Sequence, residues 1–155
     1  MAFSPSSPVT GGSQTGFTSP TYTLTADTAP DNNGKQYAVT ALGGTQTGVT
    51  VGSVSSPFTI TLWKPKSFKT LAPVDPTTGR LQAVPRNVWK LIIRKGMVPL
   101  AGQSPSIGMC KIEFDLPAGV EEANPAEVRG MLSAVIGVLN QTSAGVGDTL
   151  VNGIM

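Results

Sequence analysis

The sequence predicts an α+β chain in which short antiparallel strands come first and two helices close the C-terminus. Three observations carry this. Apolar residues alternate with a period of two in separate runs from Thr21 to Leu116. The spacing becomes helical after Pro117. Apart from the proline-rich loop Pro65 to Pro85, the connections between the strand runs are too short for crossovers, so neighbouring strands are expected to run antiparallel, as a meander. A chain of 155 residues forms one hydrophobic core and is short for two, so residues 1–155 read as a single domain. Its 39% apolar and 13% charged residues fit a turn-rich β protein or one whose surface is partly hidden in an assembly.

Residues 1–19 hold mostly Ser, Thr, Gly and Pro and lack the apolar surface to offset their ordering entropy, so a flexible or partner-ordered arm is expected. Thr21 to Ala26 and Gln36 to Leu42 alternate on either side of the turn residues Pro30 to Gly34, which predicts a hairpin. Short strands are expected at Val49 to Val54 and Ser56 to Lys64. The second puts Phe58, Ile60 and Leu62 on one face and Thr59, Thr61 and Trp63 on the other. A proline-rich loop leads to a strand from Arg86 to Lys95, then the loop Gly96 to Ser106, then a strand from Ile107 to Leu116. The sheet region thus spans 20–116.

The helical region spans 124–154. Asn124, Pro125 and Glu127 suit an N-cap and a first helical turn, and Val128, Met131, Leu132, Val135, Ile136 and Leu139 follow at helical spacing. After a break at Thr142 to Gly145, the spacing of Val146, Leu150, Val151 and Ile154 predicts a second helix. It is too short to be stable alone in water, so something must hold it down. Ile107 to Leu116 would be a sheet edge without a proline and with an apolar side, a poor edge to leave bare. It is expected to pair with a second copy about an axis near Ile112, setting Lys111 of one copy against Glu113 of the other.

Charge is unevenly spread. Nine of the eleven cations lie between Lys64 and Lys111 with one acid, Asp75, giving that segment +8. The remainder holds two cations against eight acids, or −6. Along the strand from Arg86, the residues Arg86, Lys90 and Arg94 fall on one face and Trp89, Leu91 and Ile93 on the other. A sheet basic on one side and apolar on the other suits a polyanion, of which nucleic acid is the commonest.

Several chemistries are excluded. Without histidine neither a Ser-His-Asp nor a Cys-His arrangement exists, and no Cys/His metal cluster can be built, so no enzyme, metal or cofactor is expected. Gly43 to Gly48 has the glycine spacing of a phosphate loop, but Val49 stands where its lysine belongs. Cys110, the single cysteine, reads as a buried small hydrophobe rather than a nucleophile or an intermolecular bridge. No run reaches the length of a membrane span, and the N-terminus lacks the features of a signal peptide, so a cytoplasmic origin without membrane partners is expected.

The strings TYTLTAD with GKQYAV, then PFTITLWKPK, NVWKLIIRKG, CKIEFDLP and the ending from Asn124 to Met155 together resemble the coat proteins of the small single-stranded RNA bacteriophages, the leviviruses. The resemblance covers Thr21 to Met155. It implies an N-terminal β-hairpin, a five-stranded antiparallel sheet and two C-terminal helices that interlock in a homodimer. It also implies assembly into an icosahedral shell around single-stranded genomic RNA in the bacterial host cytoplasm, and translational repression through an RNA hairpin. The loop Gly96 to Ser106 takes the place of the family's variable inter-subunit loop.

By parity, the family's RNA-contacting face maps to Thr59, Thr61, Trp63, Arg86, Lys90, Arg94, Met109 and Lys111. The cations either bind phosphate or keep the sheet soluble, and Trp63 either stacks a base or packs under a loop. The dimer interface maps to Cys110, Ile112, Glu113, Phe114, Met131, Val135 and Leu150. Two readings of other classes stand beside the coat subunit: a non-assembling β-barrel module that binds single-stranded nucleic acid, and a tail or adhesin subunit that assembles without it.

Overall fold

A computed structural model describes residues 3–155. Six strands, β1 (Val9–Thr10), β2 (Thr18–Asp27), β3 (Gly34–Thr45), β4 (Phe58–Trp63), β5 (Arg86–Met97) and β6 (Ser106–Pro117), form one antiparallel sheet in chain order. Three helices follow, α1 (Val120–Ala123), α2 (Pro125–Gln141) and α3 (Ser143–Asn152). The α+β class and the meander are as the sequence predicts. The hairpin, however, is part of one continuous six-stranded sheet instead of standing beside a five-stranded one.

Three further expectations are corrected. Within the arm, Val9 lies opposite Tyr22 and Thr10 opposite Thr21, so this segment is an edge strand rather than a free arm. Ser7 adds to this, its Oγ accepting the Leu24 N–H at 2.8 Å. Val49 to Val54 is not a strand. Ser53 N–H bonds the Ser56 carbonyl at 2.9 Å and Ser53 Oγ accepts the Ser56 N–H at 3.1 Å, closing a turn where ladder pairing would otherwise continue. Asn124 makes no side-chain cap. The short α1 precedes it directly, and Pro125 alone marks the start of α2.

Residues directly opposite in the register share a face. On one face lie Tyr37, Ile60, Ile93 and Cys110 in a row across the sheet, with Leu62, Leu91 and Ile112 in the next row and Trp89 opposite Phe114 beyond. The enclosed core is small and sits at the hairpin end of this face: Leu24, Tyr37 and Val39, joined by Phe3, Val9, Tyr22, Leu42, Phe58 and Ile60. Phe3 and Tyr22 meet Tyr37 and Phe58 edge-on at 5.9 and 5.7 Å.

The loop from Pro65 to Pro85 is tied down by Asn87, which is 5% exposed. Its Oδ1 accepts the Lys69 N–H at 2.9 Å and its Nδ2 donates to the Lys69 carbonyl at 3.0 Å, standing in for a strand partner. Phe68 then stacks edge-on against Trp89 at 5.7 Å. Asn87→Ala leaves both Lys69 groups without partners and is expected to destabilise the fold by about 1–3 kcal/mol. A lowered urea midpoint with an unchanged slope is the expected readout.

The other half of the apolar face is uncovered. Leu62, Phe68, Trp89, Phe114 and Leu116 face Val128, Met131 and Leu132 of α2 across an open cleft of about 480 Å³. None of the three helices has a buried residue. Ile136 is 59% exposed and Leu150 81%. An apolar surface of this extent is characteristic of a subunit whose partner completes it.

Candidate nucleic-acid interface

The opposite face is built by the same register. One row reads Gly34, Trp63, Lys90, Glu113; the next Gln36, Thr61, Ile92, Lys111; the third Ala38, Thr59, Arg94, Met109. Every residue that parity assigned to the face is there, and Arg86 joins at the end of β5 beside Pro117. Alternation alone is enough to sort the faces, because antiparallel pairing preserves parity from strand to strand.

The charges are arranged differently from the expectation. Lys90 Nζ lies 2.8 Å from Glu113 Oε1 within the same chain, so Glu113 already has a cation beside it in a single subunit. Arg86 is held twice by Asp115, Nε to Oδ2 at 2.8 Å and a guanidinium N–H to the backbone carbonyl at 2.9 Å. Both pairs are about half-exposed, where such contacts contribute about 0–1 kcal/mol and yield to a phosphate. Among the described residues, Arg94 and Lys111 make no ion pair. They are the two unneutralised cations of the predicted set.

Thr61 is also not what parity suggested. It is 2% exposed, and its hydroxyl donates to Gln36 Oε1 at 2.8 Å while Gln36 Nε2 donates to Asp27 Oδ2 at 2.7 Å. Its role on this face is to orient Gln36, and a ligand does not reach it. Thr59 is partly exposed beside Arg94, in a second cleft of about 390 Å³ that also includes Asp27 and Gln36.

Trp63 lines a cleft of about 380 Å³ together with Asn33, Lys64, Pro65, Lys66, Val88, Lys90, Ile92 and Arg94. Its indole rests on Gly34, where a Cβ would approach Cε3 and Cζ3 to 2.8 Å, so only glycine admits the ring. Two polar atoms in this wall are buried without partners, Trp63 Nε1 and Asn33 Oδ1, although Asn33 Nδ2 donates to the Lys64 carbonyl at 3.0 Å. A donor and an acceptor left unpaired carry a desolvation cost that a bound group can relieve. Lys66 forms a 2.7 Å pair with Asp31, whose carboxyl it holds below the usual range.

Asn33, Lys64, Pro65 and Lys66 are the members of this cleft that parity did not find, since they lie outside the strands that it sorts. The turn at Asp31 to Gly34 brings them in, because Gly34 pairs with Trp63. The signal available in the sequence was the proximity of that turn to the end of β4 in a meander.

The expected dimer residues divide between the two faces and the helices. Cys110, Ile112 and Phe114 lie on the apolar face of β6 and Glu113 on the charged one, but Cys110 is exposed in the single subunit instead of buried, because no element covers that part of the face. Met131, Val135 and Leu150 are exposed or half-exposed on α2 and α3. β6 is the last strand of the sheet, with no neighbour on its outer side among the described residues.

No protein-family model matches this sequence, and no curated protein matches it. Among solved structures, the fold superposes on a chain described as a virus-like particle of bacteriophage ESE020 with a TM-score of 0.96 and 55% identity, over 99% of this chain and 100% of that one. Identity at that level over the full length is far beyond shared fold alone. The chain belongs to the bacteriophage coat-protein family.

Proposed function

We propose that this chain is the coat subunit of a single-stranded RNA phage, dimeric as its building block and assembling in the host cytoplasm into an icosahedral shell around genomic RNA. The observation that carries the reading is the asymmetry of the sheet's edges and faces. The β1 edge is two residues long and preceded by prolines, whereas β6 is a bare twelve-residue edge. One face is basic with clefts, and the other is apolar and half-covered. Pairing β6 with β6 of a second copy doubles the sheet, and helices laid across the partner's cleft bury the side chains that a lone subunit exposes.

On the basic face, Arg94 and Lys111 meet RNA phosphates directly. Lys90 and Arg86 join by exchanging Glu113 and Asp115 for phosphate. Trp63 presents an indole to an unpaired base at the rim, as aromatic groups do on single strands. The same face serves for repression by binding an RNA hairpin. The sheet is open, with β1 and β6 at opposite edges, an arrangement that favours the shell reading over a self-contained barrel module.

Electron microscopy of the expressed protein tests the function. Nuclease-resistant, RNA-containing particles are expected, and a small monomer that binds single strands would support the module instead. Particles free of nucleic acid would point to a tail-type subunit. For the contacts, Arg94→Ala and Lys111→Ala are each expected to reduce the salt dependence of RNA binding by about 0.7 log units per log unit of salt, whereas Lys90→Ala changes it less because Glu113 is released as well. Filter binding across a salt series reads the slopes. Equal slopes for all three variants would remove the distinction.

A further inference from the structure

α3 has ten residues, no side-chain N-cap and no buried residue, so intrinsic helix stability does not hold it in place. What touches it is the turn between β1 and β2. Phe17 N–H bonds the Gln14 carbonyl at 3.0 Å, and Gly16, at φ 80°, completes a tight turn with Gln14 and Thr15 at its tip. Gln14 Nε2 donates to both the carbonyl and the hydroxyl of Ser143, at 2.8 and 2.9 Å. Thr15 Oγ1 donates to Asp148 Oδ2 at 2.9 Å.

Two glycines allow this approach, one on each side. A Cβ on Gly12 would overlap the Ser143 hydroxyl, and a Cβ on Gly147 would overlap Gln14 Oε1. Ser143 and Gly147 are four residues apart, so they form one patch of the helix surface, with Asp148 at its margin. By contrast, Gly145 of the same helix meets nothing within 4 Å.

We propose that the turn from Gly11 to Phe17 is a clasp that seats α3 on its own subunit. Through it the N-terminal arm fixes the position from which Leu150 and Val151 are presented to a second copy. The last clause rests on the dimeric coat reading; the clasp itself does not. The arm, with its low apolar content, is thus a positioning element for the helix that most lacks support of its own.

The test uses the sign of one substitution in two backgrounds, on the full-length chain as purified. Alanine is a better helix former than glycine, so Gly145→Ala is expected to slow hydrogen exchange in residues 143–152. Gly147→Ala is expected to accelerate it about tenfold, because the new methyl evicts Gln14 and its hydrogen bonds. In a Gln14→Ala background nothing remains to be evicted, and the same Gly147→Ala change is expected to slow exchange. An effect of Gly147→Ala with one sign in both backgrounds overturns the clasp. Sedimentation of the same samples reads the dimeric coat reading separately. Accelerated exchange with undiminished particle yield upholds the clasp and overturns its link to presentation, whereas a wild type that forms no particles sinks the coat reading and leaves the exchange result standing.

Discussion

Met131→Glu is expected to give a folded subunit that forms no particles. Met131 is 44% exposed and lines the open cleft with Trp89 and Phe114. In a lone subunit a carboxylate there keeps its water, and the substitution should change the unfolding free energy by no more than about 0.5 kcal/mol, as exposed positions do. In the proposed dimer the cleft is filled by the partner. The carboxylate is then stripped of water in a cleft whose lining in its own subunit holds no cation, at a cost of several kcal/mol per ion. A two-fold interface repeats every change, so the penalty is incurred twice. Circular dichroism should show the native signal, and sedimentation should show the loss of large species. Particles at normal yield would show that this cleft remains open in the assembly.

Tyr37→Ala is expected to have the largest effect on stability, about 3–5 kcal/mol, the range for truncating a large buried aromatic. Tyr37 is 8% exposed, sits opposite Ile60 in the register and receives the edge of Phe3. It is the largest side chain of the enclosed core, where Leu24 and Val39 are buried beside it and Phe3, Phe58 and Ile60 pack against the cluster. Total stabilities of domains this size are about 5–15 kcal/mol, so the loss is a large fraction. Tyr37→Phe should differ little, because the hydroxyl reaches the Phe3 carbonyl only at 3.5 Å. Chemical denaturation of the two variants separates packing from hydrogen bonding, and similar losses for both would assign the effect to the hydroxyl.

Much of this fold could be read from residue order. β4 and β6 alternate, as does β5 apart from Val88 and Ile92 on the charged face, so their faces follow from parity, and Pro125 followed by apolar residues at helical spacing marks α2. Features that depend on two distant segments meeting could not. Val9–Thr10 is a strand only because Tyr22 and Thr21 lie beside it, and its own composition argues against one. Thr61 belongs by pattern to the open face, yet Gln36 closes over it from β3. The capture of Lys90 by Glu113 depends on the β5–β6 register across the intervening loop, and the sequence left that acid free for a second copy. Parity fixes which face a side chain takes, whereas register fixes which charge stands next to it, and only the first can be read along a single strand.

The helices show the same division. Their apolar spacing is legible, but the direction in which they project is set by the short α1 and by the arm holding α3, both invisible to periodicity. The need for an anchor on α3 was legible. That the chain's own turn supplies one was not.

The central claim is that two copies join their β6 strands into one sheet. Oxidative cross-linking of an Ile112→Cys variant in a Cys110→Ser background addresses it most directly, since an axis near residue 112 brings that position against its own copy at a separation a disulfide can span. Assembled particles that yield a covalent dimer on mild oxidation are the predicted result. Particles that assemble normally and remain wholly monomeric under denaturing, oxidised conditions would contradict the account.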